Sequence, residues 1–183
     1  MSDKRPMVLV FAGPNGSGKS TITEYLEIVG TYTNADAMVS ATGMTNEEAA
    51  LLADQMRYAS IDAKEDFTFE TVLSSHYKLD LLEKAKAEGY FIKCIFVLTV
   101  HPSVNVARVA ARVAHGGHHV DEDKIRSRYY KSLENISRLM ELCDILHVYD
   151  NTEEPIRIIR KHKADISIFP NDLWTEERIL KLL

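Results

Sequence analysis

The run Gly13-Pro-Asn-Gly-Ser-Gly-Lys-Ser20 satisfies G-x-x-x-x-G-K-[ST] at every specified position. Closely spaced glycines let successive backbone N–H groups turn toward one anion, and a helix starting behind them adds the positive end of its dipole. Gly13, Pro14, Asn15, Gly16, Ser17 and Gly18 are the expected cradle, and Lys19 is the expected counter-charge for the β- and γ-phosphates. Ser20 is the expected Mg²⁺ ligand through its hydroxyl, and Thr21 completes the nucleotide-binding stretch. The implied ligand is ATP with Mg²⁺.

A phosphate loop serves kinases, GTPases, motors and nucleotide sensors alike, so other residues must decide among them. The guanine-reading N-K-x-D is absent, and motor classes usually need more chain than 183 residues. A small kinase needs a carboxylate near the γ-phosphate to take the acceptor's proton, and an arginine-bearing lid over the transferring group. Asp36, just beyond a short extended segment, is the candidate base; its bland alternative is a turn or cap aspartate. Glu70, ending the run Phe67-Thr-Phe-Glu70, would reach the same cleft to touch substrate or a water-bridged Mg²⁺; the alternative is a solvated strand end. The lid is expected over about 108–128. It offers Arg108 and Arg112 on one helical face, then Arg126 and Arg128, with Gly116 and Gly117 as hinge. Beyond it, Lys124, Arg128, Lys131, Asn135 and Arg138 form a polar stripe, and Ile125, Tyr129, Leu133, Ile136 and Met140 an apolar one. His115, His118 and His119 invite a zinc reading, but no cysteine or acidic ligand stands at a suitable spacing.

These residues need a scaffold of alternating strands and helices. Met7 to Ala12 is a continuous apolar run, as expected of a parallel strand buried on both faces. Tyr32 to Ala35 predicts a brief second strand, Asp66 to Glu70 a third, Tyr90 to Val100 a fourth and Ile145 to Tyr149 a fifth. Thr45-x-x-Glu48 predicts a capping box before a long helix with Ala49, Leu52, Met56, Ala59 and Ala63 on its inner face. Ser75 is the expected cap of a helix carrying Leu79 and Leu82 and ending at Gly89. Pro155 to Phe169 reads as one edge strand or two, and Thr175 to Leu183 as a short amphipathic helix. The expected fold is α/β: a P-loop, nucleoside-kinase-like three-layer sandwich with a mainly parallel sheet and a helical lid, forming a single domain over 1–183. Ligands belong at the C-terminal ends of its strands.

Composition narrows the setting. A formal net charge of −5 works against binding to DNA or RNA backbones. No apolar run reaches the roughly 20 residues of a membrane span, and no signal-peptide core follows the start, so a cytoplasmic protein is expected. Cys94 and Cys143 are expected to be buried free thiols.

Taken together, the motifs resemble the zeta toxin family of P-loop kinases in its short single-domain form. The resemblance rests on Gly-Pro-Asn-Gly-Ser-Gly-Lys-Ser-Thr21, Asn-Ala-Asp36, Phe-Glu-Thr-Val-Leu-Ser74, Arg-Val-Ala-His-Gly-Gly-His-His-Val120 and Tyr-Asp-Asn-Thr152, in order. It implies ATP-dependent phosphorylation of the 3′-hydroxyl of UDP-N-acetylglucosamine, with a small antitoxin as partner. It also implies Asp36 as base, Lys19 on phosphate, Glu70 on substrate, Thr99 as a sugar-nucleotide contact, and lid arginines Arg112 and Arg128. Ser127 and Lys131 depart from the family pattern, which has arginine at both places; lysine keeps the charge but not the planar fork that suits phosphate. Two further readings stay open: a metabolic or resistance kinase for another hydroxyl compound, and a module that senses ATP without transferring phosphate.

Overall fold

The computed structural model describes residues 5–117 and 119–183; His118, one of the loop histidines weighed as a zinc ligand, lies outside them. Among the described residues, β1 (Met7–Ala12), β2 (Thr31–Thr33), β3 (Phe67–Thr71), β4 (Phe91–Leu98), β5 (Ile145–Asp150), β6 (Ile156–His162) and β7 (Asp165–Ile168) form one mixed sheet. Its order is β2-β3-β1-β4-β5-β6-β7. The first five strands run parallel and β6 and β7 antiparallel. This is the expected α/β fold, with the tail forming two strands, of which β7 is the edge.

The alternation in β1 explains the layers. Val8, Val10 and Ala12 enter one core with Phe67, Phe69, Phe96 and Leu98, while Leu9 and Phe11 enter a second with Ile95 and Val97. Helices α3 (Asn46–Ala63), α4 (Tyr77–Ala87), α7 (Ile136–Leu142) and α8 (Glu176–Leu180) bring Ile61, Leu82, Leu139 and Ile179 to the first core. Helix α1 (Lys19–Thr23) brings Ile22 to the second. Each fully buried Leu, Ile or Phe contributes roughly 1.5–3 kcal/mol, so the strand ends that carry the chemistry stand on well-packed supports.

Four expectations about these elements need correction. The extended segment stops at Thr33, because Asn34 turns the chain and caps α2 (Ala35–Thr42) through a bond from Ala37 N to Asn34 Oδ1 at 3.3 Å. The α3 capping box forms as read, but the helix buries Ala49, Ala53, Asp54, Arg57, Ser60 and Ile61; Leu52, Ala59 and Ala63 are exposed. The rotation is set by Arg57, whose buried guanidinium pairs with Asp54 at 2.9 Å, donates to Thr33 Oγ1 at 2.8 Å, and lies 4.6 Å over the Phe69 ring. Lys78 of α4 also donates to Asp54. Ser75 does not cap α4, which follows His76 without a side-chain cap. Finally, the charged stripe is broken, since α6 (Glu122–Glu134) and α7 are separate and Asn135 between them donates to Leu73 O at 2.8 Å.

Cys94 and Cys143 are both buried free thiols, and burial, then the neighbouring Cys143, pushes the Cys94 thiol up. Among the described residues, no helix is long and apolar enough to cross a membrane.

Candidate active site

The loop from Gly13 to Gly18 leaves the end of β1 and enters α1. Gly13 has φ 139°, and a Cβ there would stand 2.0 Å from Val97 O; Gly18 has φ 88°, and its Cβ would stand 2.0 Å from Asn151 Nδ2. Only glycine fits either position. The Lys19 ammonium donates to Gly13 O at 2.8 Å and Pro14 O at 3.2 Å, so it lies across the loop's mouth. Among the described residues, Ser17 Oγ is buried without a hydrogen-bond partner, although buried hydroxyls are nearly always satisfied. An orphaned donor inside a glycine cradle fits a polyphosphate, and the exposed Ser20 at the start of α1 suits an oxygen ligand for Mg²⁺.

Two buried asparagines, which sequence reasoning missed, hold this loop from behind. Asn105, on α5 (Pro102–Ala114), donates to Asn15 O at 2.7 Å; Asn151, just after β5, donates to Ser17 O at 2.9 Å. Arg108 fixes Asn151 in turn, donating to Asn151 O at 2.8 Å and Thr152 O at 2.9 Å. Thr99 belongs to this scaffold and not to the cleft. It is fully buried and donates its single hydroxyl proton to Asn105 Oδ1, so the expected sugar-nucleotide contact would not come from this hydroxyl. A lone asparagine such as Asn105 gives no pattern in sequence; Asn151 stands in the Tyr-Asp-Asn-Thr152 element of the resemblance, which attaches no role to it.

A cleft of about 660 Å³ lies in front of the loop, lined among others by Asn15, Lys19, Asp36, Glu70, Lys78 and Arg128. That volume suits a drug-sized ligand. A neighbouring recess of about 240 Å³ is lined by Asp36, Ser40, Asn46, Arg112 and Gly117, so Asp36 stands where the two spaces meet. Asp36 sits exposed in the first turn of α2; Glu70 is half-buried at the end of β3 and accepts from the Tyr32 hydroxyl at 2.9 Å. The electrostatics join these groups. Burial lowers the Lys19 ammonium to about 8, Glu70 and then Asp36 oppose that fall, and Arg112 adds to it.

The region expected to form the lid, about 108–128, takes in the end of α5 and the first half of α6. Tyr129 donates to Thr99 O at 2.6 Å and Ser132 to Val72 O at 2.7 Å, fastening α6 beside the ends of β4 and β3. This presents Arg128 to the loop, where it donates to Asn15 Oδ1 at 3.4 Å. Arg138 points elsewhere and pairs with Glu83 and Glu141, while Arg126 pairs with Glu122. The described loop histidines have separate partners: His115 meets Ala111 O and His119 meets Asp121.

Sheet order, glycine cradle, facing carboxylates and overhanging arginine together define a P-loop protein with a kinase-like fold. The zeta toxin sequence profile matches residues 30–163, and the chain belongs to the zeta toxin family. An uncharacterised protein of Haemophilus influenzae is 27% identical in a 135-residue alignment that covers 66% of this chain and 91% of that protein. Two structures of the AvrRxo1-ORF1:AvrRxo1-ORF2 complex are similar in fold. The native one gives a TM-score of 0.73 at 15% identity over 93% of this chain, and the one with ATP gives 0.71 at 16% over 91%. This chain spans only 62% and 61% of those chains. The PezAT chromosomal toxin-antitoxin system of Streptococcus pneumoniae gives 0.60 at 14% identity, covering 85% of this chain and 72% of that one.

Proposed function

We propose that this protein is an ATP-dependent small-molecule kinase whose acceptor is a sugar hydroxyl, the 3′-hydroxyl of UDP-N-acetylglucosamine or a related UDP-amino sugar. The observation that carries the reading is the pair Asp36 and Glu70 facing Lys19 in one cleft. A nucleotide sensor needs the loop but has no use for an acceptor cleft with a free-standing carboxylate beside the γ-phosphate position.

The chemistry follows from the side chains. Asp36 takes the proton from the acceptor hydroxyl as its oxygen bonds to the γ-phosphorus; the bond to the β,γ-bridging oxygen breaks and ADP leaves. Lys19 and Arg128 stabilise charge on the migrating group, and Glu70 holds the acceptor. Bound Mg²⁺, held by Ser20 and phosphate oxygens, would neutralise charge on the polyphosphate. A small antitoxin protein is the partner this reading implies, in line with the toxin-antitoxin system among its structural neighbours.

Incubation with ATP, Mg²⁺ and a panel of UDP-sugars and unrelated alcohols, followed by mass spectrometry, tests the proposal. A singly phosphorylated UDP-amino sugar is the expected product. Transfer only to another alcohol would overturn the acceptor assignment; intact ATP binding without any product would overturn the kinase. The lid assignment has its own check: turnover should fall about 10-fold or more in Arg128→Ala, for loss of a charge-assisted contact, and stay near wild type in Arg138→Ala. Equal kinetics for the two variants would remove Arg128 from the lid machinery.

A further inference from the structure

We propose that Tyr32 is a positioning residue of this cleft, its hydroxyl tying Glu70 to Asn34 and so fixing the two acid-bearing arms against each other. The proposal rests on the kinase reading for its consequence but on geometry for its content. Tyr32 lies on β2, an edge strand of three residues, is 36% exposed and belongs to neither core cluster, so core packing alone does not explain it. The hydroxyl is what the fold uses. It donates to Glu70 Oε1 at 2.9 Å and accepts from Asn34 Nδ2 at 3.3 Å. Asn34 Oδ1 in turn accepts from Ala37 N, which sets the first turn of α2 and hence Asp36.

Register makes the bridge possible. Tyr32 pairs with Thr68 in the parallel β2–β3 ladder, so Glu70, two residues further along, projects from the same face within reach of a phenol. Partial burial first, and the charge of Glu70 after it, push the phenol up to about 12 against the opposing bond from Asn34. It therefore stays protonated and donates across the neutral range. A strand-end glutamate would otherwise sample several rotamers; holding one in advance spares the bound state that ordering cost.

Tyr32→Phe removes only the hydroxyl. The expected result is about a 10-fold or greater fall in kcat, corresponding to loss of a hydrogen bond to a charged group, with the Michaelis constant for ATP and the Tm unchanged. The second readout does not depend on catalysis. With ¹³C-labelled glutamate carboxyls, and the Glu70 resonance assigned by its loss in Glu70→Gln, the Glu70 carboxylate resonance at neutral pH should move in Tyr32→Phe toward that of a free glutamate side chain. Loss of the donor leaves the carboxylate to average over several rotamers. The charged groups facing this pair, Lys19 across the mouth of the phosphate loop, Asp36 on α2 and Arg57 on α3, are retained in the variant. An unmoved Glu70 resonance would overturn the proposal, as would a fall in activity matched by a fall in Tm. If wild type phosphorylates no acceptor, the kinase reading fails while the resonance still decides the role of Tyr32.

Discussion

Phosphoryl transfer by Lys19→Ala is expected to fall by about 10²–10³-fold, the loss typical when one fixed donor is removed from charge developing in a water-poor site. The side chain already lies across the loop mouth, bonded to Gly13 O and Pro14 O, so bound polyphosphate would meet it without rearranging the backbone. Its ammonium is lowered to about 8 by burial, with Glu70 and Asp36 opposing. A polyphosphate favours the charged form, so affinity for a non-hydrolysable ATP analogue should be flat below pH about 8. Above that it should weaken by up to tenfold per pH unit, with proton uptake on binding. Calorimetry in two buffers of different ionisation enthalpy measures this, and Lys19→Ala should lose the dependence. The stability sign runs the other way. Because the folded value lies below the ordinary lysine value of 10.5, the folded chain sheds this proton first as pH rises, and the group's contribution to stability improves between about 8 and 10.5. Lys19→Ala should therefore not lower the Tm at pH 7. Near-normal turnover in this variant would remove Lys19 from catalysis.

What the sequence displayed clearly were features whose physics is local. A glycine-rich loop between a buried strand and a helix has one pattern, and the alternation of Phe67 to Glu70 or the apolar run through Ile92 to Leu98 has one reading. The less legible features depend on partners far away in the chain. Arg57 looks like a surface residue of α3 until Asp54, Thr33 and Phe69 surround it, and burying it rotates the helix away from Leu52. The helix α2 was missed because Asn34 caps eight residues with no buried member, leaving no apolar stripe to find. Thr99 reads as a strand-end hydroxyl facing ligand, and only the position of Asn105 behind the loop reveals that it serves the scaffold. The order of the motifs therefore located the cleft, whereas the division between groups that face it and groups that brace it required the tertiary fold.

That division bears most on Asp36→Asn, for which transfer is expected to fall by about 10²–10⁴-fold, the range of a general-base contribution. The Michaelis constant for ATP should change little. Asparagine keeps the size and most of the hydrogen-bonding capacity but cannot take the acceptor's proton. The turn role weighed against the base is already filled, because Asn34 and not Asp36 caps α2. Among the described residues the Asp36 carboxylate has no hydrogen-bond partner, and the residue is exposed where the two recesses meet. Folding should hardly register the change, since an acid in the first turn of a helix contributes only about 0.3–1 kcal/mol through the dipole. A carboxylate that instead held Mg²⁺ through a water would show itself differently, with weakened metal affinity and partial rescue by added Mg²⁺. A missing base is not rescued by metal. Turnover of Asp36→Asn measured across an Mg²⁺ series, with ATP binding followed in parallel, separates these roles: a uniform loss identifies the base, a loss that shrinks with Mg²⁺ identifies a metal-linked acid, and wild-type turnover at every concentration sinks both.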